Sequence, residues 1–338
     1  MRLPSPLRGG VGDGGRPGPI SRDSSRGYPH PGPPRKGEGG APTAIRKLIM
    51  HDLLIAPFAD FEFMRRALVG AAALAVAGAP LGMFLILRRM ALSGDAMAHA
   101  ILPGAALGYL VAGGLSATAM TLGGLAAGVV VALGSGLVAR ATLLREDASL
   151  AGLYLVSLAL GVTLVSLRGS NIDLLHVLFG NVLALDDQTL LLLASIATVT
   201  LLGLAVLFRP LVMETLDPAF TQAATGAGAV TQLAFLALLV LNLVAGFQAL
   251  GTLMSVGLMM LPALSARLWT QRLDAAIALA ALIGIVSAYA GLVASYALSL
   301  PSGPAIVLAA GGVYFVSLIF GRAGGALRAL PQRRHLEA

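Results

Sequence analysis

The chain has 338 residues, 57% hydrophobic and 12% charged, with a mean hydropathy of +0.85 and a formal charge of +7. Soluble domains carry roughly 25% charged residues, so this composition excludes an ordinary soluble fold. Cysteine is absent, which excludes disulfides and thiolate metal sites.

Residues 1–49 hold nine Lys/Arg against three Asp/Glu, with 11 Gly and 9 Pro. They supply +6 of the +7, and the rest of the chain, with 14 Arg and 13 acids, is close to neutral. Such a segment cannot bury a core. It reads as a disordered tail, or as a start-site artefact with translation opening at Met50. The high pI therefore reflects the tail, and no nucleic-acid partner is expected.

From Met50 the chain reads as a transmembrane domain over 50–322, closed by a short tail at 323–338. About 20 helical residues cross a hydrocarbon core of roughly 30 Å. Ala67–Leu87, Ser116–Ala139, Ala148–Leu167 and Thr189–Phe208 are free of charge. Gly228–Ala266 and Ala275–Gly321 are each long enough for two spans, with breaks at 245–251 and 299–304. The fold class is an all-α polytopic membrane protein of about 8–9 transmembrane helices.

Between the first two of these runs lies "LSGDAMAHAILPGAALGY" (92–109), apolar but carrying Asp95 and His99. Spacing i, i+4 puts both on one helix face. A carboxylate and an imidazole suit zinc or manganese, and the expectation leans slightly to zinc. A buried acid in a span is costly and usually lines a pathway or pairs; the bland alternative is a structural Asp–His hydrogen bond. Leu102-Pro103-Gly104 should interrupt the helix just beyond, as in discontinuous transporter helices. Two residues cannot complete a coordination shell. Asn242, Gln248, Ser265, Tyr289 and Tyr296 are further polar candidates, each more often a helix–helix contact than a ligand. Gly124 and Gly128 form a GxxxG face read as packing, and the Met-rich 252–262 reads as packing or a hydrophobic gate.

The outer loop at 168–188, with Asp173 and His176, is too short to span and reads as a re-entrant or surface helix. The inner connection at 209–230 starts a short helix at Asp217-Pro218, an N-cap followed by proline, and Gly226 and Gly228 end it. Docking of a soluble partner and mere connection are equally open readings. Eleven arginines fall on one side of a nine-span layout and one on the other, so the arginine side and the C-terminus are expected in the cytoplasm. Arg65 and Arg66 fall on the wrong side, unless they snorkel or residues 53–63 add a half-span. No phosphate-binding loop or catalytic constellation occurs, so no enzyme activity is expected and any ATPase lies on another chain.

Five segments in order resemble the permease subunit of the zinc/manganese ABC importers, the ABC-3 metal permeases. They are "MRRALVG…LGMFLILRRMALSGDAMAHAILPGAALGYL" (64–110), "LLHVLFGNVLAL" (174–185), "DPAFTQAATG" (217–226), "FQALGTLMSVGLMMLPALSARL" (247–268) and "SYALSLPSGPAIVLAA" (295–310). The resemblance implies a type II importer fold, a permease homodimer in the bacterial inner membrane, and no permanently bound cofactor. It implies an ABC ATPase subunit that holds the ATP, and a periplasmic or lipid-anchored metal-binding protein. It makes Asp95 and His99 candidate pathway ligands for the transported ion, and Asp217, Pro218, Phe220 and Gly226 candidate docking residues. Alternatives are an ABC permease for a metal chelate or corrinoid, a proton-coupled secondary carrier, and a non-transporting anchor.

Overall fold

The computed structural model describes residues 54–113, 116–143, 146–167, 182–217, 220–221 and 228–326. Among these there are helices and one 3₁₀ turn but no strand. The helices are α1 (Ala56–Asp60), α2 (Glu62–Leu87), α3 (Ala91–Ala100), α4 (Leu102–Ala112), α5 (Ala117–Ala141) and α6 (Glu146–Leu167). After the 3₁₀ turn Val182–Ala184 come α7 (Asp187–Leu216), α8 (Gly228–Leu250), α9 (Thr252–Trp269), α10 (Leu273–Leu298) and α11 (Ser302–Phe320). Nine helical segments among the described residues are long and apolar enough to span, with α3 and α4 together forming one of them.

The centre of the bundle is α2. It packs against α7, α9 and α10, and Leu81, Met83, Phe84 and Leu85 are fully buried. Small residues bring the helices close. A Cβ on Gly82 would run into the Met259 carbonyl, and Met259 also fills the space beside Gly78 and Gly94. Met254, Met259 and Met260 are all buried, so these methionines pack the core. The expected breaks fall where the backbone requires them: Gly251 has φ +87° between α8 and α9, and Ser299 has φ +52° at the end of α10.

Three features qualify the hydropathy reading. Residues 53–63 add no half-span: α1 is a five-residue helix that stops before Phe61, whose backbone is extended. Arg65 Nη1 donates to the Ala59 carbonyl at 3.0 Å, and Arg66 pairs with Glu62 at 2.7 Å and Asp187 at 2.9 Å. The two arginines that count against the orientation are thus engaged locally. Thirdly, α7 continues eight residues past Phe208, through Pro210, as far as Leu216. Leu211 is fully buried on that extension and Glu214 is held by Arg88. Packing of one face therefore carries the helix past its charge-free run.

Asp186 caps the start of α7 by accepting from the Thr189 N–H at 3.0 Å. Hydrogen bonding to Thr189 holds its carboxyl below the ordinary aspartate range. Its cap is therefore present above that range and is lost as pH falls through the lowered value. The outer-loop candidates Asp173 and His176 lie outside the described residues.

Candidate translocation site and docking turn

The local sequence dictates how α3 is set. Arg88 ends α2, Arg89 turns through φ +59°, and the Met90 N–H returns to the Leu85 carbonyl at 2.9 Å. This tight turn starts α3 at Ala91. Twelve residues later Pro103, which has no N–H, forces the change to α4. The break leaves the Ala100 carbonyl to accept from Ser157 Oγ of α6 at 3.1 Å. The α3 helix is therefore a short rod fixed at both ends, packed on α5, α6, α8 and α9.

Asp95 and His99 share one face of that rod, with His99 Nε2 3.7 Å from Asp95 Oδ1. That is too long for a good hydrogen bond. A tetrahedral ion with bonds of ~2.1 Å holds its ligand atoms about 3.4 Å apart, so small side-chain movements would let both atoms meet one cation. The Asp95 side chain is 63% exposed and that of His99 30%, so an ion would keep much of its water. No third His, Asp or Glu completes a cluster with them among the described residues. His99 Nδ1 is buried and has no hydrogen-bond partner among the described residues.

Asp95 looks into a cleft of about 400 Å³ between α3 and α6, lined also by Arg89, Ser93, Asp147 and Tyr154. Asp147 was not apparent from the sequence because it stands at the start of α6, outside the charge-free run; only its place beside Glu146 marked it. None of the five polar span residues lines this cleft. Tyr289 donates its hydroxyl to the Leu54 carbonyl at 2.8 Å, and Ser265 bonds the Leu261 carbonyl of its own helix at 2.8 Å. Tyr296 lies against Phe61, with ring centroids 6.0 Å apart. Asn242 is buried in α8 with Oδ1 unpaired among the described residues.

At the other feature, Asp217 caps the turn after α7. Its Oδ1 accepts from the Phe220 N–H at 2.9 Å, and its carbonyl accepts from Thr221 Oγ1 at 2.9 Å. Phe220 is exposed and Thr221 buried. The capping expected at Asp217 is present; Pro218 and Gly226 lie outside the described residues. Replacing Asp217 by Ala should cost the turn about 1 kcal/mol. The expected result is faster hydrogen exchange of the Phe220 amide, which the carboxylate no longer holds.

One residue missed by the sequence reading ties this turn to α3. The Arg88 guanidinium donates to Glu214 Oε2 at 2.7 Å and to Gln232 Oε1, and lies 5.3 Å from the centre of the Phe235 ring. The side chains of Arg88 and Glu214 are 8% and 15% exposed. Removing one member of such a buried pair typically costs about 3–5 kcal/mol.

Comparison with known proteins agrees with this architecture. A manganese transport system membrane protein, MntC, from Halalkalibacterium halodurans is 35% identical over 271 residues, covering 79% of this chain and 90% of that one. The manganese import system permease protein ScaB of Streptococcus parasanguinis is 31% identical over 258 residues, 76% and 90% of the two chains. A Haemophilus influenzae chain described as a "probable iron transport system membrane protein" is 27% identical over 273 residues, 81% and 98%. Among solved structures, PsaBC from Streptococcus pneumoniae in complex with Fab superposes with a TM-score of 0.70 at 27% identity, over 84% of this chain and 99% of that one. Residues 60–321 match the model of the ABC 3 transport family. By that match, and by relatives above 30% identity along most of its length, the chain belongs to the ABC 3 transport family.

Proposed function

We propose that this chain is the membrane-spanning permease of an ATP-driven manganese importer, with Asp95 and His99 as the ligands that hand the ion through the bilayer. ATP hydrolysis belongs to a separate chain, and this chain supplies the path. The observation that carries the residue assignment is the pair on α3, 3.7 Å apart, of which Asp95 lines an open cleft and His99 stands one turn beyond it. Manganese rather than zinc is favoured by the relatives at 31–35% identity, which are named for manganese transport. The chemistry agrees, since carboxylate and imidazole with retained water are acceptable to a hard, weakly held cation.

The mechanism follows from incompleteness. A cage of four or more protein ligands would trap a divalent ion; two ligands and water bind it for one step and release it. The carboxylate draws the cation from water by charge, and the imidazole selects against the alkali and alkaline-earth ions, which prefer oxygen. Alternating access driven by the ATPase would open the cleft to one side at a time. The arginine bias argues for a cytoplasmic C-terminus, and we take the transport domain as residues 50–322. A second copy of the chain would complete the path on the exposed side of α3, and a metal-binding protein outside the membrane would deliver the ion.

The test is reconstitution of the chain with its ATPase in proteoliposomes, with the metal-binding protein supplied. The expected result is ATP-dependent accumulation of manganese, with zinc and iron supplied separately as competitors. Accumulation without the ATPase would make the chain a secondary carrier. Accumulation of a chelate but not of free manganese would favour the chelate importer.

A further inference from the structure

We propose that the Arg88–Glu214 pair is the mechanical link through which the cytoplasmic docking turn moves the metal-liganding helix α3. This rests on the reading of the turn after α7 as the ATPase-docking element. Both residues are positioning residues: neither lines the cleft that Asp95 faces.

The geometry makes the pair a junction. Glu214 lies in the last turn of α7, three residues before Asp217, the cap of the docking turn. Gln232 lies in the first turns of α8, where the chain re-enters the bundle. One guanidinium therefore holds both flanks of the 217–228 connection, with Phe235 packed beneath it. On its other side Arg88 is the residue that ends α2, and its own N–H is bonded to the Phe84 carbonyl at 3.0 Å. Three residues further, α3 begins, and Asp95 and His99 follow on its second and third turns. A displacement of the end of α7 or the start of α8 thus reaches Arg88 directly, and Arg88 is joined to α3 by a turn with a left-handed residue at its centre.

Chemistry separates this role from anchoring at the membrane surface. Arg89 is the exposed neighbour that can meet phosphate and water, whereas the Arg88 side chain is turned inward. An apolar pair of similar volume would hold the same helix ends as firmly, because desolvation offsets much of the attraction in a buried ion pair. What an ion pair adds is a fixed register between the helix ends it joins.

The test uses the complete transporter in proteoliposomes, reading manganese accumulated per ATP hydrolysed, ATPase retained after purification, and melting temperature. The variants are Arg88→Glu, Glu214→Arg, the exchanged pair carrying both, and the apolar pair Arg88→Met with Glu214→Leu. The expected result for the apolar pair is full ATPase retention and an unchanged melting temperature, with manganese per ATP reduced at least tenfold. The exchanged pair should recover most of the ratio that either single reversal loses. A parental ratio in the apolar pair, with the ATPase bound, overturns the proposal and leaves the pair a purely structural contact. If the unmodified chain retains no ATPase, the docking reading falls and this proposal falls with it.

Discussion

Asp95→Asn and His99→Ala are each expected to lower manganese uptake at least tenfold at matched membrane expression, and Asp95→Asn should leave the melting temperature unchanged. The reasoning starts from what each change removes. Asn keeps the size of Asp95 but not its charge, and with it goes the attraction that draws a divalent ion from water. Ala at 99 removes the imidazole, leaving one carboxylate and water to hold the cation. On the proposed reading, with two ligands from the described residues, either loss abolishes chelation, and a tenfold loss corresponds to about 1.4 kcal/mol. Stability should be spared in Asp95→Asn for a reason visible in the geometry. The pair is 3.7 Å apart, so neither substitution breaks a strong bond, and the Asp95 side chain is largely exposed. Supplying zinc and manganese separately identifies the cargo in the same experiment. Normal uptake of both metals by both variants would make Asp95 and His99 ordinary polar residues, and the chelate importer would become the better reading.

The helical architecture was legible because lipid imposes it: backbone groups in hydrocarbon must be satisfied within the helix, and the charge-free runs mark where that occurs. The break at Pro103 and the left-handed positions at Gly251 and Ser299 fall where turn chemistry predicts. Asp95 and His99 stood out for the same reason, as an acid and a histidine inside an apolar stretch. Relations between distant residues were not legible. Arg88 reads as one more arginine on the positive side until Glu214, 126 positions away in sequence, is found against it. The extension of α7 past Arg209-Pro210 depends on the burial of Leu211 in the same way. Asp147 gives a similar lesson: its place in the Asp95 cleft follows from how α3 and α6 pack, and hydropathy carries no record of that. The glycines show the limit most clearly. Gly124 and Gly128 look like a surface for close backbone approach, yet what they admit is side chains: Ile101 against both, and Val240 against Gly128.

Gly104→Val is expected to damage the bundle and transport together. Gly104 of α4 and Gly123 of α5 lie so close that a Cβ on either would strike the other's carbonyl oxygen, and a Cβ on Gly108 would strike that of Ala119. These obstacles are backbone, so no side chain can rotate away and the helices themselves must separate. Overpacking of a well-filled core typically costs about 1–3 kcal/mol, occasionally more, and a backbone obstacle belongs at the upper end. The damage would reach the transport site along a short path. Pro103 sits against Gly161 of α6, and the change from α3 to α4 sets where α3 ends, so displacing α4 carries His99 with it. The expected outcome is a melting temperature lowered by several degrees and manganese uptake lost in parallel, with Gly104→Ala intermediate. Gly311→Val in α11 is the control, since a Cβ there meets nothing within 4 Å and should leave both readings near the parent's. A Gly104→Val chain that melts and transports like the parent would show that α4 can slide along α5 without moving α3. The Asp95–His99 geometry would then be set by the Arg88 turn alone, and the effects of Arg88 substitutions on uptake should be correspondingly larger.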